Sequence, residues 1–159
     1  MGVSGSGKTT VGEALAKRLG WRFVEGDDFH PPENVAKMAS GHPLNDADRW
    51  PWFDRIVAEM RRLTAHGENA VIACSALKAA YRERLAAGGD MRIVYLKGDE
   101  STIAARLARR SGHFMPPSLL PSQFAALEEP KDAIVVDIRR PVDEQVATIA
   151  HALAGSLPA

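Results

Sequence analysis

The chain is short of several things. It has one cysteine, Cys74, in 159 residues. That excludes an internal disulfide framework and fits a reducing compartment. It has no charge excess, since twenty Lys and Arg balance twenty Asp and Glu. A general nucleic-acid binder carries a basic surplus, so nucleic acid is not the expected partner. No apolar run is long enough to cross a bilayer, and no stretch reads as a secretory leader. The five histidines are scattered without zinc-ligand spacing. The expectation is a cytoplasmic protein with no membrane role, whose length suits one domain with its own core.

What is present is an alternation of helix and strand signals. Val11, Leu15 and Leu19 form a stripe that predicts a helix from Thr9 to Leu19, stopped by Gly20. Arg22 to Glu25 reads as a short strand, and Gly26 to Pro32 as a polar loop. Pro31 and Pro32 then open a helix through about Met38. Phe53, Ile56, Val57, Met60 and Leu63 mark a helix from about Arg49 to Ala65. The continuous apolar run Ala70 to Cys74 is that of a buried parallel strand. Further helices are expected over Leu77–Leu85, from Asp99 or Ser101 through Leu107, over Ser122–Leu127 and from Val142 to Leu153. Further strands are expected at Arg92–Leu96 and Ala133–Val136. The order predicts a three-layer α/β/α fold with one parallel sheet.

The organising stretch is Gly2-Val3-Ser4-Gly5-Ser6-Gly7-Lys8-Thr9, which fits the Walker A pattern without a mismatch. Its glycines let backbone N–H groups approach and cradle phosphate oxygens. The helix that follows adds the positive end of its dipole. In such loops the lysine reaches the β- and γ-phosphates and the hydroxyl ligates Mg²⁺. A phosphate loop normally follows a buried parallel strand. Only Met1 precedes Gly2 here, so the expectation is a chain shortened at this end. The same residues match an N-myristoylation signal, which we read as coincidence.

In a parallel sheet, ligands bind beyond the carboxyl ends of the strands. After the first strand come Glu25, Asp27, Asp28 and His30. Asp27 is the candidate to orient or deprotonate an attacking hydroxyl, and Glu25 a candidate group near the metal with Thr9. After the apolar strand, Cys74 and Ser75 stand where motor ATPases and many GTPases carry a Walker B aspartate. Cys74 itself reads as packing. Arg106, Arg109 and Arg110, followed by His113, suit charge stabilisation on a transferring phosphoryl group, carried on a closing lid of about residues 106–121. Asn45, Asp46, Asp48 and Arg49 suit a polyol acid, with Arg49 on the carboxylate, although Asp46 and Asp48 are also ordinary helix-capping residues. Trp50 and Trp52 read as packing.

Together these segments resemble the bacterial gluconate kinases (gluconokinases), P-loop small-molecule kinases related to shikimate kinases. The likeness runs through MGVSGSGKT at Met1, GDDFHPPENVAKMASGHPLNDADRWPW at Gly26, CSALKAAYRERL at Cys74, YLKGD at Tyr95, RLARRSGHFMP at Arg106 and LLPSQFAALEEP at Leu119. The resemblance implies an adenylate-kinase-like fold. It also implies ATP- and Mg²⁺-dependent phosphorylation of the terminal hydroxyl of D-gluconate, and often a homodimer. Carried over, Gly2 to Thr9 hold the ATP phosphates, with Lys8, Asp27, Arg106 and Arg110 in the catalytic roles. Asp27, His30, Arg49, Lys78, Arg82 and His113 face the acceptor. Arg109 and Arg139 fall on the nucleotide side, Arg139 near the adenine. Two other readings stay open. One is a kinase for another small hydroxylated acid such as shikimate, or for a nucleoside. The other is a nucleotide switch, for which the nearest guanine-reading motif is Leu96-Lys97-Gly98-Asp99.

Overall fold

The computed structural model describes residues 1–109 and 117–155. Helix α1, Lys8–Leu19, is entered through Gly7 at φ 95° and left through Gly20 at φ 68°. Both are left-handed conformations that glycine adopts without a Cβ clash. Strand β1 (Arg22–Glu25) leads into a 3₁₀ turn (Gly26–Phe29), then α2 (Pro32–Ala39) and α3 (Asp46–Ala65). Strand β2 (Ala70–Ala73), α4 (Ala79–Ala86), β3 (Val94–Lys97) and α5 (Glu100–Ala108) follow. After a second 3₁₀ turn (Pro117–Leu119) come α6 (Leu120–Ala126), β4 (Ile134–Asp137) and α7 (Val142–Ala154). The sequence expectation for α3 began three residues late. Asn45 accepts from the Asp48 N–H while Asp48 accepts from the Asn45 N–H, a capping box that starts the helix at Asp46.

The strands pair in parallel as two leaves, where the sequence predicts one sheet. Arg22 to Glu25 lie opposite Ala70 to Ala73, and Val94 to Lys97 opposite Ile134 to Asp137. Among the described residues no strand lies between the leaves, and a cavity of about 340 Å³ occupies that position. Met1 closes its upper end. The Met1 carbonyl accepts from the Leu96 N–H at 3.0 Å, its amino group donates to the Val94 carbonyl, and the Gly2 N–H donates to the Ser75 carbonyl at 3.3 Å. Met1 and Gly2 thus bridge the leaves by main-chain bonds and hand the chain to the loop.

Side chains alternate across β2. Val71 packs into a cluster built by α1, α5 and α7, and Ile72 into one built by α3 and α4. Ile103, Ile138 and Ile149 are wholly buried in the first cluster, each contributing about 2 kcal/mol of burial. These two faces fix the carboxyl ends of β1 and β2, where the functional loops meet.

Candidate active site

The loop from Gly2 to Gly7 arches over the start of α1. Gly5 (φ 82°) packs so closely that a Cβ there would lie 2.9 Å from Leu107. Lys8 Nζ curls back over the loop and donates to the Gly2 and Val3 carbonyls, each at 3.0 Å. Ser6 is buried beneath the loop. Val3 is buried in the main core, so its side chain anchors the loop. Thr9 Oγ1 donates to Glu25 Oε2 at 2.7 Å, joining the two residues expected near a metal.

The 3₁₀ turn after β1 brings in the acceptor side. Glu25 Oε1 accepts from the Asp27 N–H at 3.4 Å. Asp27 Oδ1 lies 3.8 Å from His30 Nε2. His30 is buried and stacks on Trp52 with ring centroids 3.9 Å apart. Burial, with the Arg49 charge adding to it, lowers the His30 pKa to about 4, so the ring is neutral at neutral pH. Trp52 Nε1 donates to the Gly26 carbonyl at 2.7 Å and locks the turn to α3. Trp52 therefore packs, as expected, and also walls the site.

Arg49 Nη1 donates to the Tyr81 hydroxyl at 3.1 Å, Tyr81 donates to Asp46 Oδ1, and Lys78 Nζ donates to Asp46 Oδ1 at 2.9 Å. The bonds from Tyr81 and Lys78 hold the Asp46 carboxyl below its usual range. Asp46 is thus the hub that aims Arg49 and Lys78, a role the sequence did not reveal. Asn45 and Asp48 are occupied in the capping box.

Lys8, Thr9, Glu25, Asp27, His30 and Arg49 line one cavity of about 80 Å³, together with Trp52, Ser75, Tyr81 and Gln123. It is smaller than the space between the leaves. It is nevertheless where polar groups converge, whereas the larger space is walled mostly by apolar side chains. Arg106 donates to the Ile138 carbonyl, and its Nη1 lies 3.8 Å from where a Cβ on Gly7 would stand. It therefore stands beside the loop.

Other expected residues lie elsewhere. Arg82 Nη1 donates to the Ala76 and Leu77 carbonyls, each at 3.0 Å, and lines the cavity between the leaves, because α4 turns it toward Met1. Arg139 is exposed and pairs with Asp137 at 2.7 Å, two residues away. Arg109 caps the end of α5 and is exposed. Arg110 and His113 lie outside the described residues. Cys74 is buried, its thiol pushed up to about 12 by desolvation, which fits packing and not nucleophilic work. Asp99 bonds the Thr102 N–H and the Ser101 and Thr102 hydroxyls as the cap of α5, and Lys97 pairs with Glu129. The Lys97-Gly98-Asp99 stretch is therefore committed to structure and does not support guanine reading.

Among the described residues no three His, Cys, Asp or Glu side chains gather as a metal cage. Mg²⁺ does not need one, since it keeps waters and takes one or two protein oxygens with the substrate phosphates. The Thr9 and Glu25 oxygens fit that kind of site. Among the described residues no helix is long and apolar enough to cross a membrane.

A phosphate-binding loop at the head of a parallel α/β core, sharing a cavity with a carboxylate and an arginine, defines a P-loop small-molecule kinase. Residues 4–152 match the shikimate kinase family. The gluconokinase of Gluconobacter oxydans 621H is 57% identical over 134 residues, covering 83% of this chain and 75% of that protein. The thermosensitive gluconokinase of Escherichia coli K12 is 46% identical, covering 89% and 79%. The crystal structure of a gluconokinase from Sinorhizobium meliloti 1021 superposes with a TM-score of 0.87 at 46% identity, covering 97% of this chain and 89% of the other. An APS kinase from Mycobacterium tuberculosis, at 19% identity and a TM-score of 0.71, shares the fold. The chain belongs to the gluconokinase family, within the shikimate kinase group.

Proposed function

We propose that this chain transfers the γ-phosphoryl group of ATP to the terminal hydroxyl of D-gluconate, giving 6-phospho-D-gluconate. The observation that carries the reading is the single cavity in which Lys8 and Thr9 of the phosphate loop meet Asp27 and Arg49. The sugar-acid assignment is supported by the relatives described above. ATP lies on the loop from Gly2 to Thr9. Lys8 leaves the Gly2 and Val3 carbonyls for the β- and γ-phosphates, and the loop N–H groups take the remaining oxygens. Thr9 and Glu25 would hold Mg²⁺, which supplies charge neutralisation on the phosphates when bound.

Gluconate enters on the α3 side. Arg49, aimed by Tyr81 and Asp46, receives the carboxylate, with Lys78 at the rim. Asp27 accepts from the attacking hydroxyl and sets its line of approach. Neutral His30 keeps a second positive charge away from that carboxylate. Arg106 offers charge beside Gly7 as the phosphoryl group moves.

A coupled ADP-release assay across sugar acids, shikimate and nucleosides tests this. D-gluconate should give the highest kcat/KM with ATP as donor. A preference for shikimate or a nucleoside, or for GTP over ATP, would overturn the assignment.

A further inference from the structure

One contact of the phosphate loop has no part in that reading. Ser4 is buried in the middle of the loop, and its backbone N–H donates to Gln123 Oε1 at 2.8 Å, from a residue 119 positions away. A buried N–H left unpaired is destabilising, so this acceptor helps to fix the loop before any nucleotide arrives. Gln123 is half-buried on α6 and lines the cavity shared by Lys8, Thr9, Asp27 and Arg49.

The helix that carries it is anchored at both ends. Leu120 enters the main core, and Leu119 packs with Met38 and Leu44. Beyond the helix, the Glu128 N–H donates to the Leu77 carbonyl at 2.9 Å, and its carboxylate accepts from the Ala79 N–H at 2.7 Å. That fastens the segment to the start of α4, next to Lys78. Helix α6 therefore spans from the nucleotide loop to the acceptor side, with Gln123 as its contact on the loop.

We propose that Gln123 is a positioning residue for the nucleotide: its carboxamide holds the Ser4 N–H and keeps the phosphate loop in its binding form. The proposal rests on the ATP part of the reading above and not on gluconate. Two substitutions separate the carboxamide from bulk. Gln123→Met keeps length and volume but has no strong acceptor, whereas Gln123→Glu keeps an acceptor oxygen. The measurements are calorimetric Kd for Mg²⁺·ATP without acceptor, KM for gluconate, and amide exchange at Ser4 by ¹⁵N NMR on the nucleotide-free full chain.

Gln123→Met should weaken ATP binding about tenfold, the loss of about one hydrogen bond, and leave KM for gluconate within about twofold. Ser4 exchange should speed up about tenfold in Gln123→Met and stay slow in Gln123→Glu. An ATP Kd within about threefold of the parent, or tighter, would overturn the proposal, as would unchanged Ser4 exchange in Gln123→Met. Tighter binding would mean that the carboxamide competes with phosphate for the loop. If the parent binds ATP but phosphorylates no gluconate, the acceptor assignment falls while the calorimetry still decides the role of Gln123.

Discussion

Acidification should unfold this protein partly through His30. The ring is buried against Trp52, and its pKa is lowered from 6.5 to about 4, first by desolvation and then by Arg49. In the unfolded chain the imidazole takes a proton near pH 6.5, and in the folded chain only near pH 4. Between those values the unfolded state binds more protons, so stability falls as pH drops. From pH 7 to about pH 4.5 the loss assigned to this residue is about 2.5 kcal/mol. Asp46 and Asp48 have lowered pKa values, so the stability they contribute is also lost as pH falls from their unfolded values. The buried Met1 amino group, lowered to about 5, contributes a slope of the same sign. The comparison must therefore be made against His30→Phe, which keeps the stack on Trp52 and cannot titrate. Urea unfolding followed by tryptophan fluorescence at both pH values gives the number. The parent should lose about 2.5 kcal/mol more than the variant on acidification. Equal losses in the two proteins would refute the buried neutral imidazole.

Three other outcomes are expected. Asp27→Asn should lower kcat by about 10²–10⁴-fold while calorimetric ATP affinity stays near the parent value. Arg49→Met should raise KM for gluconate at least about tenfold with KM for ATP unchanged, because a charge-assisted contact contributes about 1.5–3 kcal/mol. Gly26→Ala would place a Cβ 2.3 Å from the Ala73 carbonyl oxygen. It should cost about 3 kcal/mol, read as a clear drop in thermal midpoint.

Much of this molecule is legible because its signals are local. The loop chemistry is written in consecutive residues, and helix α1 and strand β1 follow from spacing within one or two turns. Asp27 could be nominated because the end of a parallel strand is a known place for ligands. The capping box that starts α3 is also local, and the capping character of this stretch is readable beside the polyol reading, with Asn45 and Asp48 forming the box. The Arg139 pairing with Asp137 lay two residues away and was equally readable. Other features depend on contacts that no spacing encodes. Asp46 meets Tyr81 across 35 residues, and Ser4 meets Gln123 across 119. Arg82 has the charge for an acid substrate, but its helix phase turns it toward backbone carbonyls near Met1.

The bridge at Met1 has a practical consequence. Its amino nitrogen is enclosed beside Val94, and the next residue begins the phosphate loop. Its carbonyl meanwhile holds the Leu96 N–H of β3. A substitution that shifts β3 would therefore reach the nucleotide through one peptide group, and would be felt as altered ATP affinity although the changed side chain touches no ligand.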